Sequence, residues 1–190
     1  YQYRAAPLTL QQQRYYKMIR DDRMVKAAGE QISAVNAAAL LTKLLQLSGG
    51  AVYTDDGEIV EFDISNRLAI LKEALEETEH KVLVFVPYTH TIQLVTNYLR
   101  KEGYTAEIIS GDVSASERGA IFNRFQTTDN PRVLVIQPQA ASHGVTLTAA
   151  DTIIFWSPVM SVETYIQCVA RIDRVGQQKK MSVITLEGSE

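Results

Sequence analysis

The sequence predicts an α/β fold, a three-layer domain in which helices cover both faces of a mainly parallel sheet. From residue 64 onward, short apolar segments alternate with helical patterns, and this alternation is typical of a parallel sheet. The segments are apolar throughout, as expected for strands buried on both faces. The 190 residues, 46% of them apolar, suffice to bury such a core. The five predicted strands are Val82–Val86, Ala106–Ile109, Val133–Ile136, Thr152–Phe155 and Ser182–Leu186.

Residues 1–63 are predicted to form a small extension of helices and a hairpin, and residues 64–190 to form the α/β domain. A helix is expected over Leu8–Arg20, entered through Pro7 and Thr9. A second helix is expected over Ile32–Leu47, which is leucine-rich and is followed by two glycines. Asp56-Gly57, between two short β-prone runs, indicates a hairpin turn.

The chain begins with a basic segment that has two interpretations. Six of its first 26 residues are Lys or Arg and two are acidic. The segment is either a solvated helix with one apolar side or a basic arm that lies near a polyanion.

Four helices are predicted between the strands of the α/β domain. Ile64, Leu68, Leu71 and Leu75 follow helical spacing and should form one buried face. The other three helices are expected over Thr91–Lys101, Ser114–Gln126 and Val162–Ile172, the second of them with Ser114 and Glu117 as a capping box.

Composition excludes several classes of protein. The single cysteine excludes a disulfide scaffold, and with no export signal it predicts a cytoplasmic location. No apolar run approaches the ~20 residues of a membrane-spanning helix, so no membrane partner is expected. The net charge of −3 means that any nucleic-acid binding must use a local patch. Because the chain starts with Tyr1, we expect it to be a fragment of a longer protein.

The common nucleotide, metal and hydrolase motifs are absent from the sequence. It contains no Gly-x-Gly-x-x-Gly, no Gly-x-x-x-x-Gly-Lys-Ser/Thr and no Gly-x-Ser-x-Gly. Its three histidines are scattered and no cysteine stands at metal-ligand spacing, so no metal site is expected. A complete active site is therefore not evident in the sequence.

Function in an open parallel sheet collects beyond the carboxyl ends of the strands. Here those positions are residues 86–89, 110–112, 137–148 and 156–158. The last predicted helix follows the last of these segments and carries the most specific polar pattern in the chain.

Gln167, Arg171 and Arg174 stand at i, i+4 and i+7, so that on one continuous helix they fall within about 60° of one another. Two neighbouring arginines repel unless an anion lies between them, and the planar guanidinium suits a phosphate. The alternative is a pair of surface arginines bridged to Asp173 or Glu163. Helix spacing alone does not choose between the two.

The sequence around these residues resembles that of a known protein family. Residues 167–177 read Gln-Cys-Val-Ala-Arg-Ile-Asp-Arg-Val-Gly-Gln and resemble motif VI of superfamily 2 helicases, in the form of the Swi/Snf-type branch. Residues 133–155, with Gly144–Asp151, are similar to motif V and the strand after it. The stretch 110–125 and residues 81–89 resemble the segment between motifs IV and V and motif IV itself. The match covers most of the chain, in order.

The resemblance implies the second, C-terminal RecA-like lobe of an ATP-dependent DNA helicase or translocase. In this family ATP with Mg²⁺ sits between two lobes, and the N-terminal lobe supplies the P-loop and the acidic motif. The fragment alone is expected to be inactive. The resemblance assigns Arg171 and Arg174 as arginine fingers, which stabilise charge on the transferred phosphoryl group. The ATP-binding residues it implies are Gly144, Thr146, Gln167, Arg171 and Arg174.

The resemblance also implies that the loops at the strand ends contact the backbone phosphates of DNA, with a duplex as the expected form. Such binding is sequence-tolerant and salt-dependent. The candidates are Tyr88, Thr89, Ser110, Gly111, Gln139 and Ser142.

The chain departs from the family pattern at two positions. Thr146 replaces the usual Asn of motif V, and Gln137 replaces the usual Ser or Thr after the motif V strand. The shortened motif V and the small hairpin resemble helicases of phages and prophages.

Two other functions stay open at this stage. One is a non-catalytic interaction module for nucleic acid or protein, with a degenerate helicase fold. The other is half of a sugar-nucleotide transferase, which predicts an acidic residue beyond a strand end and needs no paired arginines.

Overall fold

The computed structural model describes residues 1–141 and 144–188. These residues form two compact units, one of Tyr1–Arg4 with Ile70–Glu187 and the other of Ala5–Ala69 with Gly188. The division at residues 63 and 64 that the sequence suggests stays a prediction. The strands are β1 Gln2–Ala5, β2 Met24–Ala27, β3 Glu30–Ser33, β4 Ala51–Tyr53, β5 Ile59–Glu61, β6 Lys81–Phe85, β7 Ala106–Ile109, β8 Val133–Ile136, β9 Ala150–Phe155 and β10 Ser182–Glu187. The helices are α1 Leu10–Asp22, α2 Ala37–Gly49, α3 Ser65–Glu76, α4 Thr89–Lys101, α5 Ala115–Thr127 and α6 Val162–Val169.

In the smaller unit, two helices and two hairpins pack around one apolar cluster. Thr9 caps α1, and its hydroxyl and the Gln12 side chain form a reciprocal capping box. The side-chain amide of Gln12 also donates, through Nε2, to the backbone carbonyl of Leu47 near the end of α2 (2.9 Å). This buried polar link fixes α1 against α2. The cluster consists of Ile19, Val25, Ala27, Ile32, Leu47, Val52, Val60 and Phe62.

The first hairpin of this unit, β2–β3, is a correction to the sequence analysis. Residues 32 and 33, expected at the start of a helix, belong to β3, and the helix itself begins only at Ala37, capped by Asn36. Ala28 and Gly29 form the turn with φ of 52° and 81°, the left-handed conformation that two-residue hairpins need. Ala28 tolerates this region poorly, so the sequence carries little hairpin signal here.

The second hairpin, β4–β5, was predicted from Asp56-Gly57, and the structure confirms it. The Asp55 carboxylate ties it to β3, because it accepts hydrogen bonds from the amide (3.0 Å) and hydroxyl (2.7 Å) of Ser33 and from the Gln31 amide (3.1 Å). These donors, the Ser33 hydroxyl foremost, hold the pKa of Asp55 below its ordinary value.

We expect Asp55→Asn to lower the thermal midpoint of the chain by about a few degrees at neutral pH, because an amide accepts these bonds less strongly than a carboxylate. A carboxyl whose pKa is depressed by folding stabilises the fold above its unfolded pKa and loses this effect as pH falls through the folded pKa. The gap between wild type and variant should therefore begin to narrow below the ordinary Asp value of 3.8 and close as the pH falls through the lower folded pKa. The measurement is thermal unfolding across pH, with Asp56→Asn as the matched control. A constant gap at all pH values would contradict the prediction.

The larger unit is built on a six-stranded sheet with the order β1-β10-β9-β6-β8-β7. Strands β6 to β10 are mutually parallel, with Val82 opposite Val133 and Thr152, and Val183 opposite Ile153. The α/β fold and the five predicted strands are thus confirmed. The edge strand β1 was not predicted, because Gln-Tyr-Arg-Ala offers no apolar run.

The core of this unit lies on the sheet and under its helices. Phe155 of β9 stacks between Phe85 of β6 and Tyr165 of α6, with ring centroids 5.3 Å and 4.9 Å away. Cys168 is buried beside them, and burial raises the pKa of its thiol to about 12. The helix α4 contributes Ile92, Val95 and Leu99, all of them buried.

The helix α6 is shorter than the predicted one. It was expected to reach Ile172 but ends at Val169, with Ala170 as its C-cap. Val162, its first residue, is 74% exposed. Residues 170–175 are turns, so the arginines do not project from a continuous helix as the spacing suggested. No helix within the described residues is long and apolar enough to cross a membrane.

Candidate functional site

The carboxyl ends of the parallel strands bring most of the predicted site residues to one edge of the sheet. Tyr88 and Thr89 follow β6, Ser110 and Gly111 follow β7, and Gln139 follows β8. Parallel strands end at the same edge, so these residues share it. The arginines come from the segment after α6 and contact the loop that follows β8.

Arg171 is buried, with only 5% of its surface exposed. Its Nε donates to the Gln167 carbonyl one turn earlier (2.9 Å), but its Nη1 has no partner among the described residues. Burial lowers the pKa of this guanidinium, and the charge of Arg174 lowers it further. A buried charged group without a partner is costly, and this Nη1 is a buried, unsatisfied donor at the site.

Arg174 is exposed and binds the loop after β8. Its Nη1 donates to the carbonyls of Gly144 and Val145 and to the hydroxyl of Thr146, the last two at 3.1 Å. Three acceptors on one nitrogen fix the guanidinium against the loop. Thr146, the departure from the motif V pattern, is thus a direct partner of Arg174.

The two guanidinium groups meet at Gly144. Arg174 binds its carbonyl, and a Cβ placed on Gly144 would lie 4.0 Å from Arg171 Nη1. Gly144 has a φ of 77°, a left-handed conformation that favours glycine. The backbone here can therefore bend toward both arginines.

The structure does not show the alternative arrangement, in which the arginines form salt bridges to neighbouring acidic residues. In the ranges 1–141 and 144–188, neither guanidinium forms an ion pair with Asp173 or Glu163. Glu163 instead accepts a long hydrogen bond from the Gln167 side chain (3.5 Å). Gln167 therefore contacts Arg171 through its backbone carbonyl, and its side chain is directed to Glu163. A surface pocket beside Arg174 is lined by Thr146, Ala170, Asp173, Arg174 and Val175.

The turn after β7 is held by side chains from two other elements. The Arg118 guanidinium of α5 donates to the carbonyls of Ser110 (3.4 Å) and Val113 (3.2 Å). The Gln137 side-chain carbonyl, directly after β8, accepts from the Gly111 amide (3.3 Å). Ser110 is buried and Gly111 is exposed. Of the two predicted contacts, Gly111 is the one that solvent reaches.

The remaining nucleic-acid candidates differ in exposure. Tyr88 is half-buried as the N-cap of α4, whereas Thr89 and Gln139 are exposed. Gln139 lies on a short 3-10 helix, Pro138–Ala141. Ser142 falls outside the described residues.

Sequence reasoning missed the roles of Gln137 and of the Arg118 side chain. Gln137 was noted only as a departure from a motif. One signal was available. Residues 110–112 and Gln137 each follow a strand of a parallel sheet, and such strand ends lie at the same edge of the sheet. The order of the strands, needed to make β7 and β8 neighbours, is not readable from one sequence.

A larger pocket lies at the opposite, amino-terminal edge of the sheet, and its basic groups are already engaged. The Lys81 ammonium donates to the carbonyls of Phe125 and Thr128. The Arg132 guanidinium donates to three carbonyls, those of Leu75, Thr78 and His80. This pocket is therefore a poor anion site. Among the described residues, no group of three or more His, Cys, Asp or Glu is placed to hold a metal ion.

Residues 66–176 match the model of the family described as helicase conserved C-terminal domain. The chain belongs to this family. Its match spans the strand-end loops and both arginines of the site. The prediction of a C-terminal lobe from a Swi/Snf-type superfamily 2 helicase is confirmed by this match and by the relatives and solved structures below.

Curated relatives of this helicase lobe include chromodomain-helicase-DNA-binding protein 1-like from Danio rerio, 28% identical over 96% of this chain and 19% of the relative. The mouse protein of the same name is 29% identical over 94% of this chain and 21% of its own length. Helicase SWR1 of Saccharomyces cerevisiae is 28% identical over 67% of this chain and 9% of the relative. The chain thus spans about a fifth or less of these relatives. The resemblance to phage helicases stays a prediction.

Solved structures share the fold of this helicase lobe. The C-terminal part of the Fun30 ATPase domain superposes with a TM-score of 0.64 at 21% identity, over 69% of this chain and 44% of that one. The C-terminal domain of the DEAD-box protein Dbp5 gives 0.55 at 21% identity, over 64% and 69%. The predicted RecA-like architecture is confirmed by both.

Proposed function

We propose that this chain is the second motor lobe of an ATP-dependent DNA translocase or helicase. In the proposed arrangement, ATP with Mg²⁺ binds between this lobe and an N-terminal lobe that supplies the P-loop and the acidic residues for the metal. Arg171 and Arg174 face the γ-phosphate and stabilise the charge that develops during its transfer. The strand-end loops bind the phosphates of duplex DNA.

The single observation that carries the proposal is the unpartnered, buried Nη1 of Arg171 beside the guanidinium of Arg174. Two neighbouring positive charges raise each other's energy, and an anion that binds between them offsets this cost. A phosphate accepts planar, paired hydrogen bonds from guanidinium groups. The pair of guanidinium groups therefore supports a phosphoryl group as the ligand of this site.

The nucleic-acid part of the proposal is supported by the exposed polar groups at the same edge of the sheet. Thr89 and Gln139 carry neutral polar side chains, as suits sequence-tolerant binding to backbone phosphates, and Gly111 is exposed beside the Gln137 side chain that accepts its amide. The Thr146 hydroxyl, which replaces the usual Asn of motif V, accepts a hydrogen bond from Arg174. This contact supports the view that motif V and Arg174 still interact in this chain. The cytoplasmic location stays a prediction.

The test is ATP hydrolysis by the full-length protein that carries this lobe, measured without nucleic acid and with duplex DNA, single-stranded DNA or RNA. We expect turnover that duplex DNA stimulates most, because the lobes close productively only on the bound strand. The 190-residue chain, assayed at the same concentration, should show none. Absence of stimulated turnover in the full-length protein would favour the non-catalytic interaction module, and preference for RNA would overturn the choice of substrate.

A further inference from the structure

The side chain of Gln177 holds the end of the segment that carries Arg174. Its Nε2 donates to two backbone carbonyls, that of Ile172 (3.1 Å) and that of Ala150, the first residue of β9 (2.9 Å). Its Oε1 accepts a hydrogen bond from the Lys179 amide (3.1 Å). A glutamine side chain has two N–H donors and one carbonyl oxygen. Both donors and the oxygen of Gln177 are therefore engaged with backbone groups.

These bonds close a short loop around Arg174. Residues 172–177 lie beyond the end of α6, so a regular helix does not hold them. The Gln177 side chain joins the end of this segment to Ile172 at its start, and the Gln177 backbone amide donates to the Arg174 carbonyl (3.0 Å). The bond to Ala150 attaches the same segment to the sheet. The path of the backbone at Arg174 is therefore fixed by the contacts of Gln177.

Arg171 is held by different contacts. Its Nε donates to the Gln167 carbonyl within α6 (2.9 Å), and its carbonyl accepts from the Leu147 amide (2.8 Å). Both contacts act on Arg171 itself, whereas the bonds of the Gln177 side chain begin at Ile172. A change at Gln177 should thus displace Arg174 and leave Arg171 in place.

We propose that Gln177 is the positioning residue for Arg174, holding residues 172–177 so that the guanidinium meets the loop of residues 144–146 and the γ-phosphate beside it. The inference rests on the proposed function, since it takes Arg174 to be an arginine finger. A charged group stabilises the transferred phosphoryl only from the position where charge develops, and a misplacement of about 1 Å costs much of this effect. Gln177 itself does not contact the phosphate and acts through Arg174.

Gln126 provides the matched control, because its side chain holds the residues directly before Ala150. Its Oε1 accepts from the Ala149 amide (2.7 Å), and its Nε2 donates to the Thr148 hydroxyl (3.3 Å). Both glutamines are half-buried. Within residues 1–141 and 144–188, however, Gln126 makes no hydrogen bond to the segment that carries Arg174. The two side chains thus differ in the feature that the inference depends on.

The experiment measures DNA-stimulated ATP hydrolysis by the full-length protein with Gln177→Met, with Gln126→Met and with neither, each in the presence of Arg174 and in an Arg174→Ala background. Methionine has about the length of glutamine but no N–H donor, so both variants should lose about a few degrees of thermal midpoint. Turnover is therefore measured below the midpoint of every variant. Gln178→Met, at an exposed neighbouring position, should match the wild type throughout.

With Arg174 present, we expect Gln177→Met to lower kcat by about tenfold and to leave the KM for ATP within about twofold of the wild type. Gln126→Met should keep the wild-type kcat. In the Arg174→Ala background, Gln177→Met should cause no further loss of kcat, because no guanidinium is left to position. A purely structural role of Gln177 would lower kcat by the same factor in both backgrounds.

Two results would overturn the inference and leave the proposed function standing. One is an equal kcat in Gln177→Met and Gln126→Met, which would show that the position of Arg174 does not depend on Gln177. The other is a loss in Gln177→Met that recurs undiminished in the Arg174→Ala background. The proposed function fails in a different way, as a wild-type protein without DNA-stimulated turnover or an Arg174→Ala variant with full turnover, and the inference about Gln177 then fails with it.

Discussion

Arg174→Ala is expected to abolish most DNA-stimulated ATP hydrolysis in the full-length protein, lowering kcat by about 10²-fold or more. The guanidinium is held by three acceptors on residues 144–146, so it is already oriented and loses little entropy when the phosphoryl charge develops. Alanine removes this charge and leaves the loop without its partner. The measurement is steady-state turnover together with nucleotide binding, which should be largely retained.

Arg174 tests the proposed catalytic role better than Arg171, because it is exposed. Removing the buried Arg171 would also disturb the packing around it, so a loss of activity there would be ambiguous. The matched control is Arg124→Ala, an exposed arginine in the last turn of α5. If Arg174→Ala turned over ATP as fast as Arg124→Ala, its assignment as an arginine finger would be wrong and the family membership would stand.

The largest effect on stability is expected for Phe155→Ala. Phe155 is 1% exposed and is stacked between Phe85 and Tyr165. Truncation of a buried phenylalanine costs about 3–5 kcal/mol, through lost apolar burial and the cavity that remains. This is a large part of the roughly 5–15 kcal/mol of a typical domain. Urea unfolding of the 190-residue chain would measure it.

The control for this variant is Ile166→Ala on the neighbouring helix. Ile166 is 62% exposed, so its truncation should change the free energy of unfolding by about 0.5 kcal/mol or less. Phe155→Leu should lie between the two, because it keeps most of the apolar volume. Equal stability of Phe155→Ala and Ile166→Ala would show that the stacked rings contribute little to the fold.

Apolar pattern predicted the parallel strands well, and it failed where pattern is weak. Val133–Ile136 is a continuous apolar run, and both of its bounds were correct. Gln2–Ala5 is a strand because the edge of the sheet is available to it, which no local pattern reveals. Ala28 adopts a left-handed φ that its side chain disfavours, so tertiary packing and not local preference places the hairpin turn.

The candidate site was predictable by residue type and less so by geometry. The spacing of Arg171 and Arg174 identified the pair, but it placed them on a helix that ends before either. The burial of Arg171 depends on the path of residues 144–147, whose Leu147 amide donates to the Arg171 carbonyl (2.8 Å). A contact between segments 24 residues apart follows from the whole fold, and helical periodicity carries no information about it.

The environment of Cys168 has a practical consequence for measuring motion in this lobe. It is the one cysteine of the chain, and it is buried with a thiol pKa of about 12. Only the thiolate reacts with maleimides and iodoacetamides, so near neutral pH this buried thiol is almost unreactive. A cysteine introduced at an exposed position such as Gln178 would therefore take a fluorophore or spin label selectively. The native thiol could stay in place, and the core around Phe155 would not have to be altered to follow this lobe by spectroscopy.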